Sequence, residues 1–188
     1  MSAAPTAHPP ADAAFPALAG DHWIETLNDG SRVLVRPIRP QDRERESDLI
    51  ERLSPGARHF RFLGTIRKAS AELLNQLVNV DYQRSMAFVA LAHDNGVLRE
   101  VGVSRYSASG DDRHCECAVT VADDWQHRGL GVLLMRHLIG VARKNGFRQM
   151  FSIDDAANEP MRELADYLGF HRRRDPEDAA QVIHTLDL

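Results

Sequence analysis

The sequence predicts a mixed α/β (α+β) fold, with helices flanking a central mixed, mostly antiparallel sheet. Two observations lead to this prediction. Residues 86–122 change from helical spacing to the two-residue alternation of strands, in three consecutive segments joined by turn residues. After them the pattern runs helix, strand, helix, strand to the end of the chain.

The first half of the chain is predicted to hold one strand and three helices. Residues 31–38 alternate and are rich in valine, as in a strand, and prolines end the segment. A charged helix at 41–54 has an apolar stripe at its C-terminal end, and Ser-Pro at 54–55 begins a short second helix. A third helix at 70–80 has Ser70 as its N-cap.

The second half is predicted to hold most of the sheet. Strands are expected at 86–94, 99–109, 112–122, 147–153 and 181–188, and helices at 130–144 and 158–170. Asn145-Gly146 and Gly169 end these two helices. The basic run at 171–175 is interpreted as a solvated strand edge, with recognition of an acidic partner as the alternative.

Composition and charge restrict the class of protein. The 188 residues are 43% apolar, enough for one globular domain, which we place at residues 21–188. Residues 1–20 are rich in Ala and Pro, which predicts a disordered tail without the features of a secretory signal. The net charge of −4 argues against a nucleic-acid partner, and no apolar run has the roughly 18 residues of a membrane helix.

Two cysteines lie close together on one predicted strand, in the run His-Cys-Glu-Cys at 114–117. They do not form a disulfide framework, which favours a cytoplasmic location. A zinc site of His114, Cys115 and Cys117 is not expected, because strand alternation sends the cysteines to one face and His114 to the other. We therefore predict no metal and interpret the cysteines as small core residues.

The stretch DDWQHRGLG at 123–131 places two glycines where a strand ends and an apolar helix begins. The free N–H groups of a first helical turn form an anion site, and glycine lets a phosphate approach them closely. Arg128 could add a charge-assisted hydrogen bond. A valine at Gly129 or Gly131 would then block the anion with little loss of fold. An ordinary turn is the alternative.

The run QHRGLG resembles the Q/R-x-x-G-x-G/A signature of the GNAT superfamily of N-acetyltransferases, which cradles the pyrophosphate of acetyl-CoA. Asn158 and the YLGF segment at 167–170 are similar to the last conserved block of that family. Four further segments resemble the acetyltransferase domain of bacterial protein-lysine acetyltransferases: VRPIRPQD, LSPGARHFRF, VDYQRSMAFVAL and VTVADDWQHRGLG. The resemblance implies a GNAT-like fold.

The resemblance also implies a set of acetyl-CoA-binding residues. The backbone of Val119 and Val121 would hold the pantetheine arm, and Asn158 would contact it, although Asn158 is as readily explained as an N-cap. The pyrophosphate would lie at the signature and the residue after it: Gln126, His127, Arg128, Gly129, Leu130, Gly131 and Val132.

Glu116 is the predicted general base, acting through a water. An amine acceptor must lose a proton, since a free lysine has a pKa of about 10.4. The glutamate of the "E-x-A" motif in the similar lysine acetyltransferases has this role, and Glu116 occupies the matching position. The alternative is an exposed strand residue paired with Arg105 or Arg113, in which case His114 becomes the next candidate base.

Many GNAT enzymes have a tyrosine acid at the position that Ala165 occupies here. Tyr167 lies about 200° further around the helix and is not expected to inherit that role. Departure of the thiolate would then need no dedicated acid.

These observations predict an acetyl-CoA-dependent N-acetyltransferase that works by direct attack in a ternary complex. The favoured acceptor is a protein lysine; a small-molecule amine and a non-catalytic acyl-CoA-binding module are the alternatives. No nucleic acid or membrane partner is expected, and the choice between monomer and homodimer stays open.

Overall fold

The computed structural model describes residues 21–63, 68–94, 96–111 and 113–188. The predicted tail at 1–20 lies outside the described residues. In the described part of the chain, eight strands form one sheet: β1 (Trp23–Thr26), β2 (Arg32–Pro37), β3 (Ser85–Asp94), β4 (Val97–Ser109), β5 (His114–Val121), β6 (Gln149–Asp155), β7 (His171–Arg174) and β8 (Gln181–Asp187). Five α-helices accompany them: α1 (Arg43–Arg52), α2 (Pro55–Phe62), α3 (Ala71–Val78), α4 (Leu130–Lys144) and α5 (Glu159–Leu168).

The strands lie in the order β1-β2-β3-β4-β5-β6-β8-β7, and every neighbouring pair is antiparallel except β5 with β6. The predicted mixed, mostly antiparallel sheet is therefore confirmed. The single parallel pair follows from α4, which carries the chain from the end of β5 back to the start of β6.

Strand β3 is buried on both faces, which explains its nearly continuous apolar sequence. Phe88 and Ala90 contribute to one core cluster, together with Leu134 and Leu138 of α4. Ala87, Val89 and Leu91 contribute to a second cluster with Leu49 of α1 and Val78 of α3. Helix α4 thus covers one face of the sheet, and α1 and α3 cover the other.

Local signals placed most of the helix ends correctly. Ser54 and Ser70 are N-caps whose hydroxyl groups accept hydrogen bonds from the N–H groups of Ala57 and Leu73. Helix α4 has the predicted bounds, and Gly146 after it has a left-handed φ of 88°. Gly169 has a φ of 85° at the C-cap of α5.

Two short strands complete the sheet at its edges. Strand β1 was not predicted, because its four residues show too little alternation to stand out before β2 supplies a partner. Strand β7 is the basic run at the opposite edge, where all four residues are exposed, as the interpretation of a solvated strand edge requires. No helix within the described residues is long and apolar enough to cross a membrane.

Candidate active site

The parallel strands β5 and β6 pair along only part of their length. Their ladder joins His114 to Gln149, Cys115 to Met150 and Glu116 to Phe151, and then ends. Beyond Glu116 the strands separate, and a cavity of about 590 Å³ opens between them. The next residues of β5, Cys117–Val121, form one wall of this cavity, and Ile153 and Asp154 of β6 lie on the opposite wall.

The separation exposes one edge of β5. Residues 117–121 continue to pair with β4 on their other side, up to Val121 opposite Gly102, but no strand of the described chain pairs with them on the β6 side. A strand edge without a partner presents backbone groups that can bind an extended ligand. Val119 and Val121, the predicted contacts for the pantetheine arm, both line the cavity.

The N-terminus of α4 closes one end of the cavity. Gly129, Leu130, Gly131 and Val132 all line it. The N-cap Gly129 supplies no side-chain hydrogen bond, so the N–H groups of the first turn lack a cap. A 15-residue helix also places its positive dipole end here. The arrangement therefore fits a phosphate, as the glycine-rich turn predicts.

The preceding turn is unusual in its backbone conformation. His127 has a φ of 59° and Gly129 one of 87°. Turns of this kind can point successive N–H groups into one concavity, the form of many anion sites. His127 and Gln126 line the cavity as well, and the amide of Gln126 donates to the carbonyl of Val121 at 3.5 Å.

The backbone conformation at Gly129 also favours glycine. A Cβ built at this position would lie 2.9 Å from Nδ2 of Asn28, in addition to the strain of the left-handed backbone. The structure therefore gives a reason to expect that a valine here would cost stability, because the left-handed φ strains any side chain other than glycine. At Gly131, φ is not left-handed and the nearest atom to a Cβ is Cδ2 of Leu164 at 3.4 Å, so a valine is still expected to leave the fold intact there.

Arg128 is the one predicted cofactor contact that does not line the cavity. Its Nη1 lies 3.0 Å from Oδ2 of Asp29, and its Nη2 donates to the carbonyl of Asp124 at 2.6 Å. The guanidinium also lies over the Trp125 ring, 4.7 Å from its centre. In this structure the side chain holds the turn against the loop between β1 and β2.

Glu116 lies where the cavity begins, at the last residue of the β5–β6 ladder. Its side chain is exposed, and among the described residues its carboxylate forms no hydrogen bond and no ion pair. Arg105, considered as a partner from the sequence, instead binds Oε1 of Glu46 at 2.9 Å and the carbonyl of Leu77 at 3.0 Å. The Glu116 carboxylate is thus free to contact a molecule bound in the cavity.

His114 is directed away from this centre. Its Nδ1 lies 2.6 Å from Oδ1 of Asp111, and it lines a separate depression on the sheet with Arg173. His114 does not line the larger cavity that Glu116 borders.

Helix α5 forms the wall beside β6. Asn158 lines the cavity, and its Oδ1 accepts a hydrogen bond from the N–H of Met161 at 3.2 Å, so its role as an N-cap is established. Ala165 is fully buried, whereas Tyr167 is 67% exposed and lines the cavity. Tyr167 therefore contributes to the wall of this cavity, whereas Ala165 does not.

The two cysteines are core residues. Cys115 and Cys117 are buried in the cluster beneath α4. Burial raises the pKa of the Cys115 thiol to about 12 and raises that of Cys117 well above its usual value. Within the described residues, no three His, Cys, Asp or Glu side chains are grouped to hold a metal.

Sequence reasoning missed the contribution of α2. Phe60, Arg61 and Phe62 line the cavity from this helix, which has no fully buried residue although it carries two phenylalanines. The signal available in the sequence was the pair Phe60 and Phe62, which are two residues apart and so cannot both lie on one core-facing side of a short helix.

Comparison with known proteins agrees with this geometry. The sequence profile of the Acetyltransferase (GNAT) family matches residues 59–170. Acetyltransferase PA5475 of Pseudomonas aeruginosa is 62% identical over 175 residues, covering 93% of this chain and 94% of that protein. Acetyltransferase Pat of Mycolicibacterium smegmatis is 31% identical over 86% of this chain, which spans 47% of that protein's length.

The GNAT domain of S. lividans PAT has the same fold. Its crystal structure superposes with a TM-score of 0.81 at 26% identity, over 89% of this chain and 97% of that one. The profile covers more than half of the chain, and the Pseudomonas relative is similar over nearly its whole length. The chain therefore belongs to the GNAT family and is an acetyltransferase.

Proposed function

We propose that the protein transfers the acetyl group of acetyl-CoA to the ε-amine of a protein lysine, by direct attack in a ternary complex. The observation that carries this proposal is the position of Glu116. Its carboxylate, which has no partner in the part of the chain that the structure describes, lies in the same cavity as the uncapped N-terminus of α4 and the free edge of β5. One cavity thus combines a proton acceptor with an anion site and a strand edge.

The residues of the cavity fit acetyl-CoA, which GNAT acetyltransferases use. The N–H groups from Gly129 to Val132 would bind the pyrophosphate, and the backbone of Val119 and Val121 would bind the pantetheine arm. Asn158 can contact the arm from α5 while it caps that helix. The guanidinium of Arg128 would support the turn rather than bind phosphate.

Acetyl-CoA supplies a thioester whose carbonyl carbon accepts a nitrogen nucleophile. Glu116 takes a proton from the acceptor ammonium through a water, which frees the nitrogen lone pair. As the new C–N bond forms, the C–S bond breaks, and the sulfur leaves as a thiolate. The attacking nitrogen then gives up its second proton to become the amide, and the thiolate takes up a proton to become the free thiol of CoA. Tyr167 lies in the same cavity and is the phenol available to that thiolate.

A protein lysine is proposed as the acceptor because four segments of the sequence resemble bacterial protein-lysine acetyltransferases. The similarity to M. smegmatis Pat and to the GNAT domain of S. lividans PAT extends over most of this chain. The exposed position of Glu116 agrees with this choice, because a side chain that enters from a protein surface needs an open approach.

The test combines binding with turnover. Calorimetry measures acetyl-CoA affinity, and a thiol-release assay measures turnover with lysine peptides, a polyamine and an aminoglycoside. Mass spectrometry then locates acetyl-lysine in a cell lysate treated with the enzyme. Peptide-dependent CoA release with acetyl-lysine as product supports the proposal. CoA release with small amines alone would mean that the acceptor is a small molecule and not a protein lysine. Acetyl-CoA binding without amine-dependent release would indicate a non-catalytic module.

A further inference from the structure

Arg61 is a cation in the candidate active site that has no ionic partner among the described residues. It lies in the last turn of α2 and lines the same cavity as Glu116. Its guanidinium lies over the Phe62 ring, 5.0 Å from the ring centre. Among the described residues it forms no hydrogen bond and no ion pair, although the side chain is partly buried.

The negative charges nearest to Arg61 are Glu46 and Glu116, and neither forms an ion pair with it. Burial lowers the pKa of Arg61 to about 10; the positive charge of Arg105 contributes to this shift, and the negative charges of Glu46 and Glu116 oppose it. Oε1 of Glu46 accepts a hydrogen bond from Arg105. A partly buried cation that no carboxylate contacts leaves a desolvation cost uncompensated, and an incoming anion would offset it.

Contacts of α2 with the ends of β5 and β6 hold Arg61 in position. At the N-terminus, the hydroxyl of Ser54 donates to Oδ1 of Asp123 at 2.7 Å, next to the end of β5. On the opposite side, Nε2 of His59 lies 3.4 Å from Oδ2 of Asp155, at the end of β6. The helix therefore reaches both strands that border the cavity, and it places a positive charge beside the position proposed for the acceptor amine.

We propose that Arg61 binds a carboxylate of the acceptor, so that the enzyme selects protein lysines with an acidic residue close by in the sequence. This inference rests on the proposed function and names its substrate class. Glu116 attracts the ammonium group and Arg61 attracts the carboxylate. The two charges of opposite sign in one cavity complement a pair of opposite charges on the acceptor.

The spacing of an extended peptide indicates which residue carries the carboxylate. Residues two apart in a strand point to the same side, about 7 Å from one another. Since Glu116 and Arg61 line the same cavity, the lysine and the acidic side chain must point to the same side. The positions two residues before and after the acceptor lysine are therefore the first to test for the acidic residue.

The experiment compares two peptides that differ only in charge, with Glu or Gln at both positions two residues from a single lysine. The enzymes are the wild type, Arg61→Gln and the matched control Arg58→Gln. Arg58 is on the same helix, does not line the cavity, and contacts the carbonyl of Glu51. For each combination, kcat/KM is measured by CoA release, and acetyl-CoA affinity by calorimetry.

We expect the wild type and Arg58→Gln to prefer the Glu peptide by about tenfold or more, the size of a charge-assisted hydrogen bond. Arg61→Gln should lose this preference through a higher KM for the Glu peptide, so that the ratio of kcat/KM between the two peptides falls to about one, with unchanged acetyl-CoA affinity. Arg61→Glu should reverse the preference when the flanking residues are Lys.

Other results overturn the inference in distinguishable ways. Equal wild-type turnover of both peptides would support the acetyltransferase activity but contradict the proposed selection of an acidic residue. An equal loss on both peptides with a shifted pH profile would make Arg61 a positioning residue for Glu116. Weaker acetyl-CoA binding by Arg61→Gln would show that Arg61 contacts the cofactor and not the acceptor. Turnover of free lysine without turnover of peptides would assign the carboxylate to a small molecule, and turnover of no acceptor would contradict the proposed function as well.

Discussion

Glu116 and Phe151 form the last pair of the parallel ladder between β5 and β6. The residue that ends the pairing is thus the one whose carboxylate borders the cavity. One break in the sheet leaves the edge of the next five residues of β5 without a β6 partner and also gives Glu116 an open side. The proposed cofactor-binding edge and the proposed base therefore arise from the same irregularity.

Glu116→Gln should lower kcat by at least about a hundredfold, because loss of a general base costs roughly 10²–10⁴ in rate. Acetyl-CoA affinity should be unchanged, since the proposed cofactor contacts are backbone groups of β5 and α4. Thiol release over pH 6–9 measures the first quantity and calorimetry the second.

Glu72→Gln is the control for this experiment. Glu72 is exposed on α3, outside the cavity, and the substitution makes the same change in charge. Near-normal turnover by Glu116→Gln across the pH range would show that the acceptor proton leaves by another route. His114 would not be the obvious replacement, because the structure places it beside Asp111.

Gly131→Val should raise the dissociation constant of acetyl-CoA by about ten- to a hundredfold. The new side chain would lie at the first turn of α4, where it blocks an anion from N–H groups whose hydrogen bonds are worth about 1.5–3 kcal/mol each. Gly140→Val is the matched control, because it adds the same side chain to the same helix with no atom within 4 Å of its Cβ. Equal affinities in the two folded variants would exclude the helix N-terminus as the phosphate site.

The predictable part of the fold was the part set by local chemistry. Ser70 caps its helix and Gly169 ends another, since both effects depend on a few neighbouring residues. Strand β1 could not be predicted in this way, because four residues become a strand only through pairing with β2.

The same distinction between local sequence and long-range contacts applies to the candidate site. The turn at Gln126–Gly131 is continuous in sequence, so a short motif reveals it. Arg61 lies 55 residues from Glu116, and only the placement of α2 over β5 brings both to one cavity. Arg128 lies within the motif, but its side chain contacts Asp29 instead of the cavity. The motif could not reveal this contact, because Asp29 lies in a loop almost a hundred residues away.

Gly129→Ala should destabilise the protein more than Gly146→Ala. Both glycines flank α4 and have nearly the same left-handed φ, 87° and 88°, so the backbone strain, about 1–2 kcal/mol, is common to both. Only at Gly129 would the new Cβ lie 2.9 Å from Asn28, whereas nothing lies within 4 Å at Gly146. Denaturant unfolding of the two variants measures the difference, and addition of Asn28→Ala to Gly129→Ala should remove it. Equal losses of stability would mean that Asn28 moves aside without cost.

The final prediction concerns Glu100, a buried carboxyl group on β4. Neither of its oxygens has a hydrogen-bond partner among the described residues when the group is ionised. Burial raises the pKa of Glu100 well above its usual value, and the negative charge of Glu46 raises it further. The protonated form can donate to Glu46, whose Oε2 otherwise lacks a partner. The native state therefore holds a proton that the unfolded chain releases.

Because the folded pKa of Glu100 lies above the unfolded value of about 4.3, the native protein binds more protons than the unfolded chain between those two values. The contribution of Glu100 to stability is then fully present at low pH and declines as the pH rises toward the folded pKa. Glu100→Gln cannot ionise, and its amide can donate to Oε2 of Glu46 at every pH. The difference in Tm between variant and wild type should increase from pH 5 to pH 8 in favour of the variant. Thermal unfolding followed by circular dichroism measures it, with Glu72→Gln as the control for loss of an exposed charge, and parallel Tm curves would contradict a protonated Glu100 in the native state.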